Sequence, residues 1–174
     1  KIEKACKLAD LAFDFILKKL KQGVSEKQIA FELEYLIKRK GADISFPPIV
    51  AFGKNSSMPH HNTSDRKLKT DNIILFDFGV KYQNYCSDMT RTVFFGKASK
   101  RFKKIYNTVL SSQKLAIKQL NNLSINGKWK MVNGKSIDLV VRDYIVKQGF
   151  PAIPHSLGHG IGIEVHEPPR LSPK

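Results

Sequence analysis

The stretch Pro154-His155-Ser156-Leu157-Gly158-His159-Gly160-Ile161-Gly162, followed at once by Val165-His166-Glu167-Pro168, decides how this chain is read. Three of its five histidines fall within twelve residues there, among glycines and short apolar residues. Neutral imidazole is the commonest protein metal ligand and the usual proton carrier near neutral pH. Glycine on both sides of His159 lets backbone approach closely. His166 lies seven residues on, a step that across a glycine-rich strand brings both imidazoles towards one cleft, and His155 lies four residues before.

Two acids upstream belong to the same argument. Asp77 and Asp88 fall in apolar runs at 73–78 and 85–95, expected strands joined by a turn near Gln83-Asn84. Such a hairpin sets the carboxylates nearly opposite and, with a tight unbulged turn, on one face. Like charges so placed destabilise a ribbon, and burial raises that cost. A divalent cation offsets it directly; pairing with Arg91, Arg66 or a helix N-terminus is the structural alternative. His60 and His61 lie in a polar, turn-rich loop over 54–71, where a functional and a solvated reading both stay open.

Carboxylates with imidazole suit Mn²⁺, Co²⁺, Fe²⁺ or Zn²⁺ better than Ca²⁺, and the lack of thiolates argues against a structural zinc site. Two aspartates, one of them shared, suit two cations about 3.5–4 Å apart, which bring the pKa of a bridging water from about 15.7 towards 7. Hydroxide so made is a nucleophile for amide hydrolysis. Nearby imidazoles can steady the developing oxyanion and pass a proton to the leaving amine.

The surrounding pattern is α+β. Ile2, Cys6, Ala9, Phe13, Ile16, Leu17 and Leu20 recur at helical spacing, predicting a helix over 2–20 stopped by Gly23. Ser25 with Gln28 at capping-box spacing starts a second, its inner face Ile29, Leu33, Leu36 and Ile37, its end Gly41. Residues 49–52 read as a short buried strand. A third helix is expected over 99–120, a polar loop over 121–134, and a fourth helix over 136–148 closed by Gly149. Runs of helices and strands, rather than regular alternation, point to two similar helix–sheet halves of one domain.

Composition sets the bounds. The chain has 174 residues, 41% of them hydrophobic, enough for one substantial core. No run of eighteen apolar residues suggests a membrane span, and no signal peptide is visible. Thirty basic against fifteen acidic residues give +15, but the lysines are scattered along helix faces, with no glycine–aromatic RNA motif and no zinc knuckle. That distribution argues against nucleic acid as the partner. Cys6 and Cys86 read as buried reduced thiols, and the cytoplasm is the expected location.

Taken together, these motifs resemble the pita-bread metallopeptidases: Xaa-Pro dipeptidase (prolidase), aminopeptidase P, methionine aminopeptidase and the metal-free relative creatinase. The resemblance spans nearly the whole chain. It runs from Ile49-Val50-Ala51-Phe52-Gly53-Lys54-Asn55-Ser56-Ser57-Met58-Pro59-His60 through Asp77-Phe78-Gly79 and Tyr85-Cys86-Ser87-Asp88-Met89-Thr90-Arg91-Thr92. It ends with the His155–Gly160 run and His166-Glu167-Pro168-Pro169-Arg170.

The resemblance implies that Asp77 chelates one metal, Asp88 bridges both and His159 is the single histidine ligand. It implies that His60 and His166 meet substrate and the tetrahedral intermediate, that His155 is the histidine typical of the proline-directed branch, and that Arg170 joins His60 and His155 in binding substrate. The implied cofactors are two divalent ions, Mn²⁺ or Co²⁺ first, Zn²⁺ or Fe²⁺ next. The implied activity is hydrolysis of the Xaa-Pro bond at a peptide's N-terminus by hydroxide held between them. Methionine aminopeptidase is the alternative within this chemistry, and a pita-bread fold reused as a non-catalytic binding module the alternative outside it. Two further glutamate ligands are expected on strands beyond Lys174. Residues 1–174 are therefore expected to be an incomplete catalytic domain, with an N-terminal domain and C-terminal strands outside them and a homodimer as the full-length form.

Overall fold

The computed structural model describes residues 1–122, 124–125, 128–129 and 133–173. They form two units: Lys1–Ala98 with Ile161–Val165, and Ser99–Gly160 with His166–Lys174. Both mix helix and sheet, so the expected α+β class holds.

The first unit opens with α1 (Ile2–Leu17) and α2 (Glu26–Arg39). The stripe that α1 buries is Ala5, Ala9, Ala12 and Ile16. Cys6 lies one residue off it and is exposed, which corrects the expectation that both thiols are buried; Cys86 is buried. The capping box of α2 forms as its spacing predicts. Ser25 Oγ accepts from Gln28 N at 3.1 Å, and Gln28 Oε1 accepts from Ser25 N at 2.9 Å.

Six strands follow: β1 (Asp43–Ile44), β2 (Ile49–Phe52), β3 (Asn72–Phe78), β4 (Val80–Tyr82), β5 (Tyr85–Cys86) and β6 (Met89–Phe95). β3 is central, antiparallel to β2 on one side and β6 on the other, while β4 lies between β1 and β5. Its alternation is strict. Ile74, Phe76 and Phe78 are buried in a core with Ile29, Leu33, Ile37, Val50 and Phe52, and Ile73, Leu75 and Asp77 lie half-buried on the other face. Full burial of a side chain of this size contributes about 1.5–3 kcal/mol. Phe13 of α1 meets Phe76 edge-on, ring centroids 5.8 Å apart.

The second unit has α3 (Lys100–Asn122), β7 (Ser124–Ile125), β8 (Lys128–Trp129), α4 (Gly134–Lys147), β9 (Gly158–Gly160) and β10 (Glu167–Leu171). Ser99 caps α3 by accepting from Phe102 N, and Asn133 caps α4 by accepting from Ser136 N. Ile137, Val141 and Ile145 of α4 share a core with Ala116 and Leu171. The loop expected over 121–134 contains the short β7–β8 pair; the rest of that expectation, at 123, 126–127 and 130–132, lies outside the described residues.

Candidate active site

In the first unit the two acids sit on one long ribbon. Its register runs without slippage from Asn72↔Phe95 to Tyr82↔Tyr85. Gln83 and Asn84 close it, both at positive φ (48° and 68°), the pattern of the two-residue turn that matches strand twist. The turn is where the sequence placed it, but its centre falls between Gln83 and Asn84. Asp77 therefore faces Thr90, whose hydroxyl donates to Asp77 Oδ1 at 3.0 Å. Asp88 stands two residues before Thr90, so the expected near-opposition becomes a diagonal offset. Asp88 lies in the break between β5 and β6, half-buried and outside either strand.

Between the two acids the backbone is held tightly. Ser87 N donates to Val80 O at 2.8 Å, and Val80 N donates to Ser87 Oγ at 2.9 Å. Gly79 sits so close that a Cβ there would overlap the Ser87 carbonyl oxygen and Ser45 Oγ. Arg91 reaches Asp10 at 3.8 Å and donates to the Thr90 carbonyl.

The loop carrying His60 is organised by a residue the sequence reading missed. Glu26, in the first turn of α2, is completely buried. Its Oε1 accepts from Phe52 N at 2.7 Å and Asn55 Nδ2 at 2.8 Å. Its Oε2 accepts from Ser64 N at 2.9 Å and Ser64 Oγ at 2.6 Å, and lies 2.8 Å from His61 Nε2. Burial pushes this carboxyl upward, but the hydrogen bonds from Ser64, His61, Phe52 and Asn55 outweigh it and hold the pKa below the usual carboxylate value. His61 is thereby fixed as a structural residue, while its neighbour His60 is exposed.

In the second unit β9 and β10 form an antiparallel ribbon with Arg170 opposite His159 and Glu167 opposite Gly160. The ladder is irregular between Glu167 and Arg170, where Pro168 and Pro169 have no N–H to give. A Cβ on Gly160 would overlap the Pro168 carbonyl oxygen. The ribbon brings the His159 and His166 rings together, centroids 4.3 Å apart. His159 Nδ1 lies 3.0 Å from Gly160 O and is half-buried, whereas His155, His166 and Arg170 are exposed. His155 Nδ1 lies 3.0 Å or less from its neighbour's carbonyl, at 2.8 Å from Ser156 O.

A second missed pair supports this region. Asp138, fully buried on α4, takes Arg142 Nε at 2.5 Å, and Arg142 donates to the carbonyls of Ile153 and His155. A charged pair four residues apart inside the stripe Ile137, Val141, Ile145 was its sequence signal.

The structure thus puts His155, His159, His166 and Arg170 in one unit, where the rings of His159 and His166 meet and Arg170 is the ladder partner of His159, and it puts His60, Asp77 and Asp88 in the other. Among the described residues no group of three His, Cys, Asp or Glu side chains is arranged to hold a metal ion. In kind the donors Asp77, Asp88 and His159 suit a divalent cation; in number, three donors fall short of two coordination shells of four to six.

Comparison with known proteins decides the family. The sequence pattern of metallopeptidase family M24 matches residues 1–174. The chain belongs to metallopeptidase family M24. This M24 chain is 42% identical over 173 residues to the uncharacterized peptidase YqhT of Bacillus subtilis, covering 98% of the chain and 47% of the relative. It is 37% identical over 173 residues to the Xaa-Pro dipeptidase of Pyrococcus horikoshii, again covering 98% and 47%. The X-Pro aminopeptidase structure from Thermotoga maritima superposes with a TM-score of 0.90 at 39% identity, covering all of this chain and 48% of that one. The M24 chain has the pita-bread architecture of these enzymes and spans about half the length of the relatives it matches. It is a metallopeptidase chain by family, and no helix among its described residues is long and apolar enough to cross a membrane.

Proposed function

We propose that this M24 chain is part of an exopeptidase that hydrolyses the bond before a proline at its substrate's second position. The observation that carries the reading is the β9–β10 ribbon, where Arg170 pairs with His159 and the His159 and His166 rings meet, a few residues after His155. The named Xaa-Pro dipeptidase and X-Pro aminopeptidase relatives support it.

Residues 1–174 are read as an incomplete catalytic domain. Asp77, Asp88 and His159 would hold two divalent ions, Mn²⁺ or Co²⁺ first, with ligands from outside these residues. When bound, such ions supply activated water and Lewis acidity at the scissile carbonyl. The chain's own part is positioning and proton handling. His166 and His60, both exposed, are available to hydrogen-bond the carbonyl oxygen as charge develops and to carry a proton to the leaving proline nitrogen. His155 and Arg170 bind substrate. A cytoplasmic homodimer is the expected full-length form.

The test uses full-length protein stripped by chelation and reloaded with Mn²⁺ or Co²⁺, assayed on Ala-Pro, a longer Xaa-Pro peptide and Met-Ala-Ser. Metal-dependent release of the residue before proline is the expected result. Release of methionine from Met-Ala-Ser alone would make it a methionine aminopeptidase. Salt-dependent RNA binding without metal-dependent peptidase activity would make it a binding module.

A further inference from the structure

We propose that Asp138 and Arg142 are positioning residues that set the preference for proline by fixing the tip that carries His155. The proposal rests on the reading of His155 as a substrate-binding residue.

The segment Phe150–Ser156 belongs to no helix or strand, and two of its residues, Pro151 and Pro154, have no N–H to offer. It has few N–H groups with which to order its own carbonyls. Arg142 supplies donors: Nη1 donates to Ile153 O, and Nη2 donates to His155 O at 2.6 Å. Asp138 completes the clamp. Its Oδ2 takes Arg142 Nε at 2.5 Å, and its Oδ1 accepts from Arg142 Nη2 and from Leu157 N, each at 3.2 Å. One pair of side chains on α4 therefore grips the carbonyls at 153 and 155, and shares the Leu157 N–H with the Leu171 carbonyl, which lies 2.9 Å from it.

The apolar side chains of Ile153 and Leu157 are already anchored against the core of this unit. Pro154, His155 and Ser156 between them are exposed. The clamp is thus what fixes the exposed tip rather than what attaches the segment. The geometry needs a planar fork with several donors, which lysine's single ammonium cannot reproduce. Small displacements are costly to catalysis, since about 1 Å of misplacement can cost on the order of a hundredfold in rate.

The test is a double-mutant cycle in the full-length protein with Arg142→Lys and His155→Ala, read as kcat/KM on an Xaa-Pro and an Xaa-Ala dipeptide. Arg142→Lys keeps a cation beside Asp138. It should lower turnover of the proline substrate about tenfold or more and shrink the Xaa-Pro to Xaa-Ala ratio, yet change turnover less than about twofold when His155 is already alanine. Equal losses in both backgrounds, or an unchanged ratio, overturn the proposal. A readout independent of activity guards against simple unfolding. The His155 imidazole resonance, assigned from its absence in His155→Ala, should shift or broaden in Arg142→Lys while circular dichroism is unchanged; an unmoved resonance also overturns it. Wild-type protein without any preference for proline would defeat the Xaa-Pro reading and this proposal with it, whereas equal losses or an unmoved resonance in a proline-preferring enzyme would defeat the proposal alone.

Discussion

The ring centroids of His159 and His166 lie 4.3 Å apart with their planes tilted by 54°. They meet because β10 begins directly after His166 and folds back along β9, so that six residues of chain separate two imidazoles in contact. The contact keeps His166 beside the proposed metal ligand His159, which suits the proton-carrying role proposed for it. His166→Ala should lower kcat/KM of the full-length enzyme by about 10²–10⁴. Because His166 is exposed, the melting curve should stay where it is. Near-normal turnover would remove His166 from the site.

Asp77 and Asp88 are the carboxylates proposed to share a cation, Asp77 on β3 and Asp88 between β5 and β6. Asp88→Ala and His159→Ala should each abolish turnover at any added Mn²⁺ concentration while circular dichroism is preserved. Chelation of the wild type should have the same effect and be reversed by Mn²⁺ or Co²⁺. Turnover that survives exhaustive chelation would contradict metal dependence.

Glu26 makes stability depend on pH in a definite direction. Its folded-state carboxyl is held below the ordinary value of 4.5, so its stabilisation is complete above that pH and is lost as pH falls through the folded value. Urea midpoints of wild type and Glu26→Gln should differ above pH 5 and converge on acidification. Glu26→Ala strands the buried donors of Phe52, Asn55 and Ser64 and should cost about 3–5 kcal/mol at neutral pH. A wild-type-minus-variant difference that grows as pH falls would show that the carboxylate is not the stabilising form.

Two glycines are required for space rather than for flexibility. Gly79→Ala would drive a methyl into the Ser87 carbonyl between the two aspartates, and Gly160→Ala would do the same at the Pro168 carbonyl beside His159. Backbone atoms cannot step aside as a side chain can. Each variant should lose about 1–3 kcal/mol or more in thermal melts. The Gly160 change should also depress turnover, by moving His159 relative to Arg170.

Much of this was legible because the deciding interactions are local in sequence. The capping box at Ser25 and Gln28, the turn at Gln83-Asn84 and the stripe Ile29, Leu33, Leu36, Ile37 each follow from spacing within a dozen residues. The exact partner of Asp77 was not legible, because a shift of one residue in the turn centre moves each cross-strand partner by two. The helix α1 ends at Leu17 rather than at residue 20, since Gly23 ends the turn that follows and not the helix itself. Glu26 and the Asp138–Arg142 pair were missed for a different reason. Their partners lie 26–38 residues away for Glu26 and across an irregular segment for Arg142, and no periodicity records such contacts.

Four of the five hydrogen bonds converging on Glu26 come from the loop from Asn55 to Ser64, which makes that loop and the opening turn of α2 a single transplantable cassette. Anyone exchanging that loop between relatives to alter substrate choice would have to carry the glutamate with it. A loop moved alone would arrive with its keystone left behind in the donor.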